Sequence, residues 1–171
     1  MTVAVEAGTW QLDPTASTVS VRHKTFWGLA TVKGTFTAVS GSGEVAADGT
    51  ATGTVTLDAT SLDTKHAKRD THLRSADFFD ADNHPEITFA VRGAELREGD
   101  TAHVTGELTV RGVSHPQEIT ARVASADEAA VTLETEFTVA RDTFGVSFNQ
   151  LGMMGGPTTV VATLRFTPAE A

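Results

Sequence analysis

Hydrophobic and polar residues alternate with period two along most of the chain, and that period belongs to strands with one buried face. Val19, Val21 and His23 share a face, with Ser20, Arg22 and Lys24 opposite. One strand is predicted over Ala30–Val39, with Ala30, Val32, Gly34, Phe36 and Ala38 inward and Thr31, Lys33, Thr35 and Thr37 outward. The same alternation returns over Ala51–Leu57, Ile87–Val91, Val104–Val110, Ile119–Val123, Val131–Val139 and Val160–Phe166, with a brief strand inside the turn-rich SGSGEVAADGT. Glu98-Gly99-Asp100 reads as a hairpin tip, and Gly112 to Pro116 as a turn. About eight one-sided antiparallel strands predict a sandwich or a barrel, and the barrel alone removes the exposed edges. Eight strands is also the size at which a barrel can hold one ligand. The inner face is small as well as apolar, at Ala30, Gly34, Ala38, Gly53, Gly106 and Ala121. Glycines there either let the sheet coil or leave space along the axis, and the sequence fits both readings.

The alternation breaks once, between Ser61 and Phe89. A helix is predicted over about 63–77, capped by Ser61 or Asp63. Leu62, His66, Arg69, Leu73 and Ala76 would share its face, and Asp70 stands four residues before Arg74, the favourable order for an ion pair. Phe78 and Phe79 end the run, and Asn83-His84-Pro85 breaks the chain before the next strand. Asp80, Asp82 and Asn83 do not make a calcium loop, because Pro85 stands where the loop requires glycine and Val91 where it requires a bidentate acid.

Composition narrows the function. With 171 residues and 40% hydrophobic content, the chain suits one domain, placed at 9–168 with loose tails at 1–8 and 169–171. A net charge of −9 argues against nucleic acid and anionic membrane surfaces, although Lys65, Lys68, Arg69 and Arg74 form a local basic patch. The absence of cysteine excludes disulfides, thiolate metal sites and thiol nucleophiles. No apolar run is long enough to span a bilayer, and the absence of an export signal predicts a cytoplasmic protein. His23, His66, His72, His84, His103 and His115 show no close metal spacing, so a zinc site would need ligands from distant strands. There is no nucleophile elbow, P-loop or dinucleotide fingerprint.

Several motifs recur in a telling order: Trp10-x-Leu12-Asp13-Pro14-x-x-Ser17, the inward His23, and Gly34-x-Phe36. They continue with SLDT at Ser61–Thr64, RDxHLRSxDFFD at Arg69–Asp80, HPEITF, GELTVRGVSHP at Gly106–Pro116 and RDTFGV at Arg141–Val146. From Trp10 to Phe166 the chain resembles the YceI-like family of polyisoprenoid-binding proteins. The resemblance implies an all-β fold, an extended eight-stranded antiparallel lipocalin-like barrel with a helical segment at one end. It also implies a homodimer, no catalysis and no cofactor, and an isoprenoid chain such as a polyprenyl or quinone tail held inside for storage, shielding or transport. Against the family, the chain is expected to lack the signal peptide that many members carry, and it places Pro157-Thr158-Thr159 where the family has Gly-Asp.

Parity and loop position then nominate Phe26, Trp27, Phe36, Phe78, Phe79, Phe89, Phe144, Phe148, Met153 and Met154 for the lining or gate. His23, Arg69 and Arg141 are placed near a head group. Two other classes remain on the sequence: an enzyme using His23 or His72 with Asp70 as an acid–base pair, and a ligand-free interaction module with a filled barrel.

Overall fold

A computed structural model describes residues 7–25, 30–47, 50–75, 80–96, 100–126, 129–139 and 158–169. The strands are β1 (Gly8–Leu12), β2 (Thr18–Thr25), β3 (Ala30–Phe36), β4 (Val39–Val45), β5 (Ala51–Asp58) and β6 (Leu62–Asp63), then β7 (Glu86–Leu96), β8 (Thr101–Val110), β9 (Val113–Ala126), β10 (Val131–Val139) and β11 (Thr158–Pro168). One helix, α1 (Ala67–Arg74), lies between β6 and β7. The pairing registers join the early segments end to end. β1 and β2 lie one after the other along β11, from Trp10 opposite Pro168 to His23 opposite Thr158. β3 and β4 run along β2 and β1 in turn, and β6 and β5 along β3 and β4. The segments therefore form a closed eight-stranded antiparallel barrel in which chain neighbours are sheet neighbours and the first strand returns to the last.

Each break within a composite strand is held by specific hydrogen bonds. Between β1 and β2 the chain bulges outward over Asp13–Ser17. The Ser17 hydroxyl donates to the Asp13 carbonyl at 2.7 Å and accepts from the Arg165 amide at 3.0 Å, taking the place of a ladder carbonyl. Asp13 receives the hydroxyl and amide of Thr15 and the Arg165 guanidinium, and these donors hold its carboxyl below the usual 3.8. Between β3 and β4 the Thr37 amide donates to the Ser61 carbonyl, and the Asp58 amide donates to the Ala38 carbonyl. That kink shifts the alternation, so Phe36 and Val39 are buried while Ala38 is exposed. The single strand expected over Ala30–Val39 with Ala38 inward is therefore corrected.

The turn expected over Gly112–Pro116 is tighter than that. Arg111 and Gly112 have φ of 54° and 73°, the paired left-handed conformation of a two-residue hairpin, and β9 starts at once at Val113. Pro116 lies in the part of β9 beyond its last pair with β10, Ala121 opposite Thr135, so the donor it lacks is not required on that side among the described residues.

The helix is shorter than the predicted span. Leu62 and Asp63 pair with Phe36 and Thr35 as a strand, which removes them from the helix. His66 replaces Ser61 or Asp63 as the cap, its Nδ1 accepting from the Arg69 amide at 3.2 Å. Leu62 is buried in β6, and α1 turns Arg69, Asp70 and Leu73 inward, with only Asp70 fully buried.

Two apolar clusters fill opposite halves of the barrel. Leu12, Val19, Phe36, Leu62, Ile87 and Leu108 belong to the one beside α1. Trp10, Val104, Ile119, Ala121, Val123 and Val131 belong to the other. Among the described residues no large side chain is completely buried. Protein cores are normally packed as densely as organic crystals, so this interior is hollow.

Candidate ligand-binding channel

Two cavities follow each other down the barrel. The first, of about 590 Å³, lies beside α1 and is walled by inward residues of β2, β3, β5, β7, β8, β10 and β11, including Val21, Val55, Leu57, Val110, Phe137 and Val160. The second, of about 430 Å³, extends to Trp10 and is walled by residues such as Val91, Val104, Ala121, Val131 and Phe166. Val55, Phe89, Ile119, Thr135 and Leu164 line both. Together the cavities reach the upper end of the roughly 300–1,000 Å³ usual for small-molecule sites. The walls are almost entirely carbon, so they offer a ligand contact area and very little directional bonding.

The inward glycines are not gaps in this wall. A methyl group at Gly34 would stand 2.7 Å from Leu62 Cδ1 and 3.0 Å from Thr64 Cγ2, so the missing side chain lets the β6 segment close over β3. At Gly106 the space is taken by the Ala90 carbonyl oxygen and then by the Phe89 ring. The hollow interior results from the barrel's girth and from the valines that line it, not from the glycines.

Polar groups gather at the α1 end. His23 Nδ1 and Thr158 Oγ1 are 2.9 Å apart, joining β2 to β11 at the cavity wall. Thr64, His66, Lys68, Arg69 and His72 line the same cavity from β6 to α1. Thr64 is only 5% exposed and is held from two sides. Asp70 accepts from the Thr64 amide at 3.0 Å and from its hydroxyl, while Arg69 donates through Nε to Thr64 Oγ1 at 2.8 Å and through Nη2 to its carbonyl at 2.6 Å. Asp70 thus turns inward to Thr64 instead of pairing with Arg74 along the helix. These bonds fasten the helix over the cavity mouth. Replacing Asp70 with alanine would strip the buried Thr64 amide of its acceptor, at a cost of about 2–3 kcal/mol. Urea titration of an Asp70→Ala protein is expected to show that loss. A change under about 0.5 kcal/mol would mean the clamp does not hold α1.

Of the residues nominated from sequence, His23, Phe36, Arg69 and Phe89 all line the first cavity. Phe26, Trp27, Phe78, Phe79, Arg141, Phe144, Phe148, Met153 and Met154 lie outside the described residues. Sequence reasoning passed over Val55, Leu57, Phe137, Val160, Leu164 and Phe166, which follow directly from inward parity. It also missed Trp10 as an end wall and Thr158 as the partner of His23. Among the described residues no cluster of three or more His, Asp or Glu side chains could hold a metal. No described helix is long and apolar enough to cross a membrane.

Fold and interior together define a hollow antiparallel barrel lined for an apolar occupant. A model of the YceI-like domain matches residues 10–166, and the chain belongs to that family. It is similar to the protein YceI of Shigella flexneri, with 44% identity over 69 residues, 40% of this chain and 36% of that protein. YceI of Escherichia coli O157:H7 matches to the same extent, 44% over 69 residues, 40% of this chain and 36% of that one. The matched stretch is thus about a third of those relatives' length. Among solved structures, Burkholderia cenocepacia BcnA superposes with a TM-score of 0.81 at 21% identity, covering 90% of this chain and 98% of that one. A polyisoprenoid binding domain from Saccharophagus degradans, implicated in plant cell wall breakdown, superposes with a TM-score of 0.75 at 14% identity, covering 96% and 100%. At such identities the likeness is one of fold.

Proposed function

We propose that this protein binds an isoprenoid, or a similar long-chain apolar lipid, inside the barrel and stores, shields or carries it without chemical change. The carrying observation is the pair of cavities in line along one axis, walled largely by hydrocarbon, with His23, Thr64 and Arg69 at the α1 end of the first and Ser42, Glu44 and Glu95 beside the second. A branched, flexible hydrocarbon needs a long dry channel and few directed bonds. Burying some 20 of its carbons is worth on the order of 15 kcal/mol before the costs of ordering the chain and of association. Those costs leave room for micromolar to nanomolar affinity. The polyisoprenoid-binding relative in the fold comparison supports the same ligand class. The acid–base alternative loses ground on geometry, since Asp70 is engaged by Thr64 and His23 by Thr158.

Organic extraction of the freshly purified protein, followed by mass spectrometry, tests the reading. A long-chain apolar molecule in stoichiometric amount is the expected result. If none co-purifies and none can be loaded afterwards, the proposal fails.

A further inference from the structure

We infer that Phe89 sets how far a linear apolar chain passes down the channel, and so sets the chain length the protein prefers. This rests on the binding reading and adds a selectivity residue to it. Among the described residues five line both cavities, and Phe89 is the one aromatic among those five. It also packs against both apolar clusters, as does Phe166, which lines only the second cavity. Phe89 is therefore the partition at the point where the two cavities meet.

Its position on the sheet explains how it spans that point. Phe89 stands opposite Leu108 on β8, but its ring lies over Gly106, one inward position further along the barrel. A methyl group at Gly106 would stand 2.9 and 3.0 Å from ring atoms Cζ and Cε1. The glycine thus admits the close approach of the Ala90 carbonyl oxygen, which an added methyl would meet first, and leaves the ring its berth. The ring itself is only half-buried although it points inward, because open volume flanks it. An aromatic ring with space beside it can swing about its first side-chain torsion without displacing other atoms, whereas a packed core phenylalanine cannot.

β10 gives the length scale. Val139 and Thr135 line the first cavity, and Thr135 and Val131 line the second. Four residues of strand rise about 13 Å, or about 10 Å along the axis of a barrel whose strands tilt by about 40°. An isoprene unit contributes four chain carbons and extends about 5 Å with bonds of about 1.5 Å. The first cavity and its collar thus take about two to three units, and a fourth must move Phe89.

Linear prenyl alcohols of two, three, four and six isoprene units, competed against a fluorescent fatty acid, would test this on the wild type and on Phe89→Leu, Phe89→Ala and Phe89→Trp proteins. Phe89→Leu keeps an apolar side chain in case Phe89→Ala folds poorly. For the wild type, affinity is expected to rise to three units and to gain less than about threefold from the fourth. In Phe89→Leu and Phe89→Ala the fourth unit should add at least about tenfold, and in Phe89→Trp the four-unit alcohol should bind at least about tenfold more weakly than in the wild type. Binding whose length profile is the same in the wild type and in Phe89→Leu would overturn the inference and leave the binding reading intact. Failure of every alcohol to bind the wild type would overturn both.

Discussion

An Ala162→Trp protein is expected to remain folded and to lose at least about a hundredfold in affinity for an isoprenoid ligand. Ala162 lies near the middle of β11, between Thr135 of β10 and Val19 of β2, and faces the first cavity at 6% exposure. Enlarging a side chain in a packed core costs typically about 1–3 kcal/mol, because its neighbours must leave their preferred rotamers. Here a cavity of about 590 Å³ adjoins the site and can receive an indole. The same indole then occupies volume that a ligand would need. Its affinity falls through exclusion, with no contact chemically altered. Thermal melting and a ligand titration on one preparation would separate the two effects. Thr163→Trp, one residue along on the same strand and not on the cavity wall, should leave affinity near wild type. Undiminished binding by Ala162→Trp would place the ligand outside the barrel.

The second large effect is on stability. Trp10→Ala should destabilise the fold by about 3–5 kcal/mol, the usual cost of removing a large aromatic from a core. For a domain of this size that lowers the midpoint of melting by on the order of 10 °C. Trp10 is 5% exposed, closes the second cavity, and packs with Val104, Ala121, Val123 and Val131. It also sits on the strand that joins both ends of the barrel, opposite Gly43 on one side and Pro168 on the other. Its loss therefore weakens the closure as well as the core, while Trp10→Phe should recover most of the loss. A loss below about 1 kcal/mol in Trp10→Ala would show that the barrel end is held by something else.

How much of this was legible depends on which interactions fix each feature. The inward face of β8 follows from period two alone, because Ala102, Val104, Leu108 and Val110 are buried and their neighbours are not. The break at Thr37–Ala38 does not. It is set by hydrogen bonds to Ser61 and Asp58, twenty or more residues away in sequence, and alternation carries no record of such partners. β1 was missed because five residues with two apolar positions fall below the length at which alternation is distinctive. Ser61 and Asp63 are good caps by residue type, yet strand pairing at Leu62 and Asp63 overrides that preference and leaves the cap to His66. Arg69 was placed near a head group, and it does line the cavity, but two of its donors are committed to Thr64. The parity of Phe89 was plain in the sequence. Its place between two chambers was not, since that depends on the girth of the closed barrel and on the ring's berth at Gly106.

The hollow interior has a further consequence. Under the binding reading, part of the protein's core is supplied by a molecule the chain does not encode. A ligand that binds only the folded state stabilises it by about 2.7 kcal/mol at a hundred times its dissociation constant. The empty form opens correspondingly more often, and proteases act on opened chains. The lifetime of this protein in a cell would then follow the supply of its lipid, so its abundance would report that supply with no dedicated regulator.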